Sequence, residues 1–435
     1  MGPACRQAGI QPHYYDMIKI LILGGGFGGI RTALDLERKL APNLSKGEAE
    51  ITLVDKNGYH LFTPDIYEVA SAYGIKRDPF AVQLKRTICI PYADIFAKKH
   101  INFIQAEITE VDLIGNKVKT GGGHTVEYDY LVFALGSEAA DYNIPGVKEY
   151  AHQFKTLEDS LFINKSLDEL SEQFKSGNRT EPFSFLICGG GFTGVELAAE
   201  LGCCSKVIKD KCKLRGRCSN ISLFEAGPKI MSVIPEKERK IAKERLTDLG
   251  IMIIENSPIE EIGSDFIKLK SGQKVNGDLI IWTTGIKPNR IISEVKNLPL
   301  SQSGKITTEI TLHVKGYQNI FAVGDSAEVI DPKTQRGIPA LAYVAVNQGK
   351  IVAGNIFNSI NNKKMVNYKP FYDISIVPIG GKYAVAHLWG GWIIKGFWGW
   401  IIRQLVDIRY LLSIFPINKT LDIYWNEVTI FSRND

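Results

Sequence analysis

Ten residues, Leu21-Ile22-Leu23-Gly24-Gly25-Gly26-Phe27-Gly28-Gly29-Ile30, leave this chain few folds to choose from. An apolar run reads as a buried strand, glycines at 24, 26 and 29 satisfy G-x-G-x-x-G, and a helix-forming run from Ile30 to Leu40 follows. That order makes a strand, a tight turn and a helix whose N-terminus can hold a pyrophosphate. Gly24 permits the turn, Gly26 lets a phosphate reach the backbone, and Gly29 lets helix and strand pack closely. One such loop is a weak signal. The pattern recurs at Phe185-Leu186-Ile187-Cys188-Gly189-Gly190-Gly191-Phe192-Thr193-Gly194, again after an apolar run and before a helix. Two dinucleotide folds in one chain imply two dinucleotides, with electrons passing between them.

The repeat extends beyond the glycines. The next strand of each unit, Ile51–Asp55 and Ile221–Glu225, ends in an acid, and a later strand ends in glycine, at Gly136 after Ala134 and at Gly285 after Thr284. An acid in this place accepts hydrogen bonds from a ribose. The competing reading, a turn acid, needs no such position after an apolar run. A carboxylate at 225 welcomes the 2′-OH of NADH and repels a 2′-phosphate, so NADH is expected over NADPH. Lys229 nearby softens that repulsion. A further strand, Asn319–Val323, ends in Gly324-Asp325 after the second unit, so the chain is expected to return there to the first.

Bulk properties narrow the class. With 435 residues the chain has room for two or three cored domains, and 45% hydrophobic with 23% charged residues marks it as globular. A net charge of +5 does not call for nucleic acid. No uncharged apolar run reaches the ~18 residues of a membrane-spanning helix; the best, Tyr383–Ile394, is bounded by Lys382 and Lys395. Seven scattered cysteines fit a reducing compartment. A thiol–disulfide reductase would need a close cysteine pair beside the first glycine loop, and there is none. Residues 1–16 are polar and read as a flexible tail or a mis-called start before Met17. The basic segment Lys206–Arg217 reads as a solvated insertion. Cys203, Cys204, Cys212 and Cys218 around it match no standard zinc spacing, so no metal is expected.

In order, the loop at 24–29, Asp55, Ala134-Leu135-Gly136, the loop at 189–194, Thr284-Gly285 and Gly324-Asp325 resemble the two-dinucleotide flavoprotein reductases. Thr63-Pro64-Asp65-Ile66-Tyr67-Glu68-Val69-Ala70, Gly194-Val195-Glu196-Leu197-Ala198-Ala199-Glu200-Leu201 and an aromatic C-terminal tail make the chain look like a type II NADH:quinone oxidoreductase. The resemblance runs from Met17 onward. It implies an α/β fold with two Rossmann-like domains, the FAD domain (17–150 and 296–372) interrupted by the NADH domain (151–295), and a C-terminal amphipathic membrane-docking region (373–435). It implies hydride transfer from NADH to FAD and two-electron reduction of a membrane quinone without proton pumping. For FAD it points to Gly24, Gly26, Phe27, Gly28, Gly29, Asp55, Lys56, Pro64, Ile108, Ala134, Gly136, Gly324 and Asp325. For NADH it points to Gly189, Gly191, Phe192, Thr193, Gly194, Glu196, Glu225, Thr284 and Gly285. Glu196, paired with Lys382, is implicated in proton delivery. One departure stands at the quinone site. Where the family carries A-Q-x-A-x-Q-Q, this chain has Ala342-Tyr343-Val344-Ala345-Val346-Asn347-Gln348. Tyr343 can donate a hydrogen bond to a quinone oxygen, but its bulk narrows the tunnel.

The tail is read as a membrane surface. Trp389, Trp392, Phe397, Trp398 and Trp400 crowd a short span, and Ile393, Phe397, Ile401, Leu405, Ile408, Leu412 and Phe415 recur at helical steps. Lys395, Arg403 and Arg409 are expected to reach lipid phosphates from the edges of one helix lying in the interface. A core helix or a homodimer face is the competing reading. The location expected is the cytoplasmic face of the cell membrane, as a peripheral protein. The family's usual tail histidine is replaced here by Asp407. Rival functions are a sulfide:quinone oxidoreductase, a reductase of an iron–sulfur protein and a slow NADH-sensing flavoprotein. The first needs a cysteine in the C-terminal half, and the last here is Cys218.

Overall fold

The computed structural model describes residues 17–72, 87–213 and 216–431, so the tail expected at 1–16 lies outside it. Strand β1 (Ile18–Leu23) feeds α1 (Phe27–Ser45) through the first glycine loop, and β2 (Ala49–Asp55) returns parallel to β1, with Ile18 opposite Ala49. A turn at Thr63–Asp65 leads into α2 (Ile66–Ser71); β3 (Asn102–Gln105), a hairpin sheet over 108–127 and β4 (Tyr130–Phe133) follow. Helix α3 (Leu157–Lys175) opens with a capping box. The Thr156 hydroxyl accepts from the Asp159 N–H at 3.1 Å, and the Asp159 carboxylate accepts from the Thr156 N–H at 2.7 Å.

The second unit repeats the first: β5 (Phe183–Cys188), α4 (Phe192–Lys211), β6 (Ser219–Phe224), α5 (Glu236–Asp248), β7 (Ile251–Ile254) and β8 (Leu279–Trp282). Strand β9 (Ile320–Ala322) then rejoins the first sheet, pairing parallel to β4 with Ile320 opposite Leu131. The return expected at Gly324-Asp325 is thus a fifth strand, and the first sheet runs β9-β4-β1-β2-β3. The second sheet has the same order, its outer strand being His152–Gln153 beside β8, then β5, β6 and β7. Both are parallel and covered on both faces, which is why their strands read as continuous apolar runs.

Helix α6 (Ala342–Ile360) packs on α1. The C-terminal region is a three-stranded antiparallel sheet, β10 (Ser375–Pro378), β11 (Ala384–Leu388) and β12 (Trp392–Gly396), followed by α7 (Phe397–Ile414) and α8 (Ile417–Phe431). The helix expected from Ile393 therefore begins four residues later. Ile393 lies on β12, and Gly396, at φ +73°, turns the chain from strand to helix. Among the described residues no helix is long and apolar enough to cross a membrane.

Candidate active site

Each glycine loop is built by the same three constraints. Gly24 (φ +100°) and Gly189 (φ +126°) occupy backbone that a side chain would strain. A methyl group on Gly29 or Gly194 would land on the carbonyl oxygen of Gly24 or Gly189. A methyl group on Gly26 or Gly191, by contrast, would meet nothing within 4 Å, so the helix N-terminus opens onto free space there. That space, bounded by unhindered backbone, fits a pyrophosphate. The expected acids close both loops. Asp55 accepts from Gly25 N at 2.7 Å and Asn57 N at 2.8 Å, and Glu225 accepts from Gly190 N at 2.9 Å and Gly227 N at 2.6 Å. Burial pushes the Asp55 carboxyl up, while the N–H groups of Gly25 and Asn57 oppose the shift.

The loops differ in what holds the middle glycine. The Gly25 carbonyl accepts from the Tyr92 hydroxyl at 2.9 Å and lies 3.2 Å from His60 Nδ1. A carbonyl can only accept, so Nδ1 carries the proton. His60 Nε2 then accepts from the Tyr410 hydroxyl of α7 at 2.8 Å. Burial drives the His60 pKa down to about 4, keeping the ring neutral. Phe27 packs edge-on against His60 at 4.8 Å and against Tyr410 at 4.9 Å. At the second loop the Gly190 carbonyl accepts from the backbone N–H of Met231 at 2.7 Å. The Thr284 hydroxyl donates to the Cys188 carbonyl at 2.6 Å, and Thr283 bridges Cys188 and Gly189. Lys229, expected to soften the charge of Glu225, pairs with Glu236 at 3.0 Å.

The other expected FAD residues sit around the first loop or behind it. Gly136 (φ +69°) and Gly324 (φ +65°) follow β4 and β9, just beyond the paired ends of the two strands. The Asp325 carboxylate accepts from Ser137 at 2.5 Å, and Lys155 donates to Ser137 at 2.7 Å. Pro64 opens the turn before α2, and Ala134 follows β4. Lys56 is exposed, and Ile108 is buried in the core beside the first sheet. Phe192 and Thr193 open α4. A cavity of about 560 Å³ lies away from both loops, and its Lys19, Lys117 and Lys119 are already paired with Glu127 and Glu110.

Glu196, on the first turns of α4, is half-buried rather than solvent-facing. Burial pushes its carboxyl up to about 8, against the pull of the Arg403 guanidinium; Asp65 and Glu200 add to the rise. Lys382 is exposed in the bend between β10 and β11. The strongest charge acting on Glu196 is Arg403, a residue the sequence placed at a lipid surface. It lies in the protein interior instead. Arg403 is 6% exposed, forms an ion pair with Asp407 one turn along α7, and donates to Asp65 at 2.6 Å and to the Pro64 carbonyl at 3.2 Å. Asp407, the departure from the usual histidine, is its partner. The i, i+4 spacing of the two was the signal available in the sequence.

At the expected quinone site Val344 and Gln348 are buried, and Tyr343 and Asn347 half-buried. Gln348 accepts from Gly324 N at 2.7 Å. The Tyr343 hydroxyl, expected to face a quinone, donates instead to the Ile374 carbonyl at 3.1 Å, and burial pushes its pKa up to about 12. Part of the apolar tail faces outward, but Phe415, read as the last residue of the same stripe, is 6% exposed and packs in the core with Leu411 and Ile414. Trp389, Trp392, Phe397, Trp398 and Leu405 are between 50% and 73% exposed; Trp400, stacked on Phe397 at 5.6 Å, and Ile401 are half-buried. Arg409 and Lys395 are exposed as expected. Cys203 and Cys204, on the buried side of α4, pack with Cys218 in the core of the second unit.

Comparison with known proteins agrees with this geometry. The family model described as pyridine nucleotide-disulphide oxidoreductase matches residues 18–349. A type II NADH:quinone oxidoreductase of Staphylococcus aureus is 28% identical over 92% of this chain and 96% of its own, and one from Staphylococcus haemolyticus is 27% identical over the same shares. The structure of NDH2 from Plasmodium falciparum in complex with NADH superposes with a TM-score of 0.79 at 19% identity, covering 96% of this chain and 99% of that one. The sulfide:quinone oxidoreductase of Aquifex aeolicus shares the fold, with a TM-score of 0.74 at 21% identity and 92% coverage of each chain. With two matching cradles, two matching acids and a match over three quarters of its length, this chain is an enzyme of the pyridine nucleotide-disulphide oxidoreductase family.

Proposed function

We propose that this enzyme oxidises NADH with the help of FAD and reduces a membrane quinone by two electrons, without pumping protons, as a peripheral protein at the inner face of a membrane. FAD occupies the first cradle, in residues 17–150 and 296–372, and NADH the second, in residues 151–295. When bound, FAD supplies the hydride and electron chemistry. The observation that carries this reading is a single helix with two duties. On one side α7 presents Phe397, Trp398 and Leu405 to solvent; on the other, Tyr410 reaches through His60 to the first glycine loop. A lipid-soluble substrate collected on that apolar surface is then one helix away from the cradle.

The chain's own residues do the positioning. Glu225 selects the ribose with a free 2′-hydroxyl, and its carboxylate is fixed by two backbone N–H groups. Asp55 does the same for the first nucleotide. Glu196 holds a proton near neutral pH and is the group that delivers it where charge develops on the acceptor. Because the Tyr343 hydroxyl is committed to Ile374, it narrows the acceptor path by bulk rather than binding the acceptor through a hydrogen bond. This favours, as the second reading, an acceptor other than a quinone. Both readings are tested by following flavin absorbance anaerobically in the full chain. NADH should bleach it and a soluble quinone analogue restore it; bleaching without recovery moves the acceptor to another class. Glu196→Gln should slow recovery and spare bleaching. Equal loss of both overturns the proton role.

A further inference from the structure

Ser137 stands where the two units meet. It opens the short strand Ser137–Ala139, which pairs antiparallel with Ile286–Pro288 beyond the end of β8, with Ser137 opposite Pro288. Two charged side chains converge on its hydroxyl. Asp325 comes from the first unit, just after β9, and Lys155 comes from the start of the second. The Lys155 backbone is held in the second unit from both sides. The strand just before it, His152–Gln153, pairs with β8, and the Asp159 carboxylate of the α3 capping box accepts from Lys155 N at 2.9 Å. Its side chain leaves that unit and donates to the Ser137 hydroxyl at 2.7 Å. Ser137, Lys155 and Asp325 are all half-buried. The other carboxylate acting on the ammonium is Glu138, which accepts from Arg290 N at 3.3 Å.

An ammonium group can only donate. Ser137 therefore accepts from Lys155, which turns its own O–H towards the Asp325 carboxylate, 2.5 Å away. A cation drawn partly out of water persists only beside negative charge. Burial pulls the Lys155 pKa down, and Asp325 and Glu138 oppose the pull. On the reading that FAD occupies the first cradle, we propose that Lys155 is a positioning residue for it: acting through the Ser137 hydroxyl, Lys155 fixes the Asp325 carboxylate and offsets its charge, so that the hold on FAD depends on a cation supplied by the second unit. Two effects follow. A hydrogen bond to an ionised group is a strong one, so the carboxylate beside Gly324 keeps one orientation. The phosphates of FAD are anionic, and a carboxylate without a nearby cation would repel them. The same tie spans the seam across which the two nucleotides must exchange electrons.

The test uses the full-length, FAD-loaded protein and reads how tightly the flavin is held, from the fluorescence it regains when released on dilution. Lys155→Met keeps most of the stem and removes the charge. Its FAD dissociation constant should rise about tenfold or more, the loss expected for one hydrogen bond from a charged group. Lys155→Arg keeps the charge and should stay within about threefold of the native protein. A loss as large as that of Lys155→Met would show shape at work rather than charge, and overturns the inference. Ser137→Ala should match Lys155→Met, and the double variant should lose no more than either single one, because the two side chains act in series. A Lys155 that merely stiffened the start of α3 would give losses that add, and that outcome overturns the inference too. If Lys155→Met does not fold, Lys155→Gln takes its place, with the same loss expected. A native protein that carries no FAD defeats the proposed function and this inference together. FAD held equally well by the native protein and by Lys155→Met defeats this inference alone.

Discussion

The two glycine cradles share their backbone and differ in their clamps. At the second, the middle glycine is held by the N–H of Met231, from the segment between β6 and α5 of the same unit. At the first, the same carbonyl is held by side chains, Tyr92 and His60, and the histidine is held in turn by Tyr410 from α7. One cradle is self-contained. The other is wired to the part of the molecule that exposes its tryptophans. This fits a division of labour in which the second cradle exchanges its nucleotide freely, and the first keeps its cofactor and answers to the C-terminal helix.

The sharpest way to break this contrast is to fill each loop. Gly29→Ala and Gly194→Ala each drive a methyl group into a backbone carbonyl, a clash costing about 3 kcal/mol or roughly a hundredfold in binding or rate. Gly29→Ala should purify without flavin absorbance, whereas Gly194→Ala should keep its flavin but bleach with NADH about a hundredfold more slowly. Flavin loss in both would show the cradles to be one unit. The next effect is in stability against acid. The pKa of His60 is lowered on folding, to about 4 from 6.5, so the stability it confers is present above pH 6.5 and lost as pH falls towards 4. The change is about 3 kcal/mol at most. Urea midpoints measured from pH 7 to pH 4 should show that slope in the native protein and a flatter one in His60→Gln. A smaller effect is expected at the second cradle. Glu225→Gln retains an acceptor for Gly190 but drops the charge, and the preference for NADH over NADPH should fall by about tenfold, or ~1.4 kcal/mol. Smallest is Tyr410→Phe, which strips the donor from buried His60 Nε2 and should cost about 1 kcal/mol in the urea midpoint with flavin bound. An unchanged midpoint would cut the wire between α7 and the first loop.

The features legible in the sequence were those set by local geometry. Gly24, Gly29, Gly189 and Gly194 announce their turns because no other residue fits them, and Asp55 and Glu225 announce themselves by ending apolar strands. The features missed depend on partners far along the chain. Arg403 looked like a cation at the edge of an apolar stripe, since its partner Asp65 lies 338 residues away. Ile393 fitted a helical spacing because steps of four and three can run across a strand–helix junction, and Gly396 was the mark that they did. His60 carries no motif at all. Its importance comes from the carbonyl of Gly25 on one side and Tyr410, 350 residues later, on the other.

Strand β9 has a consequence for how the molecule comes into being. Asn319 donates to the Asp129 carbonyl across 190 residues of chain, so the first sheet lacks its outer strand until the whole second unit has been made. Closing so long a loop is slow, and its entropic cost is lower once the intervening segment is compact. The second unit is therefore expected to fold first on the ribosome, as an island in an unfinished domain. During that interval the first sheet offers the open edge of β4 to any passing strand, a hazard that ends when β9 arrives.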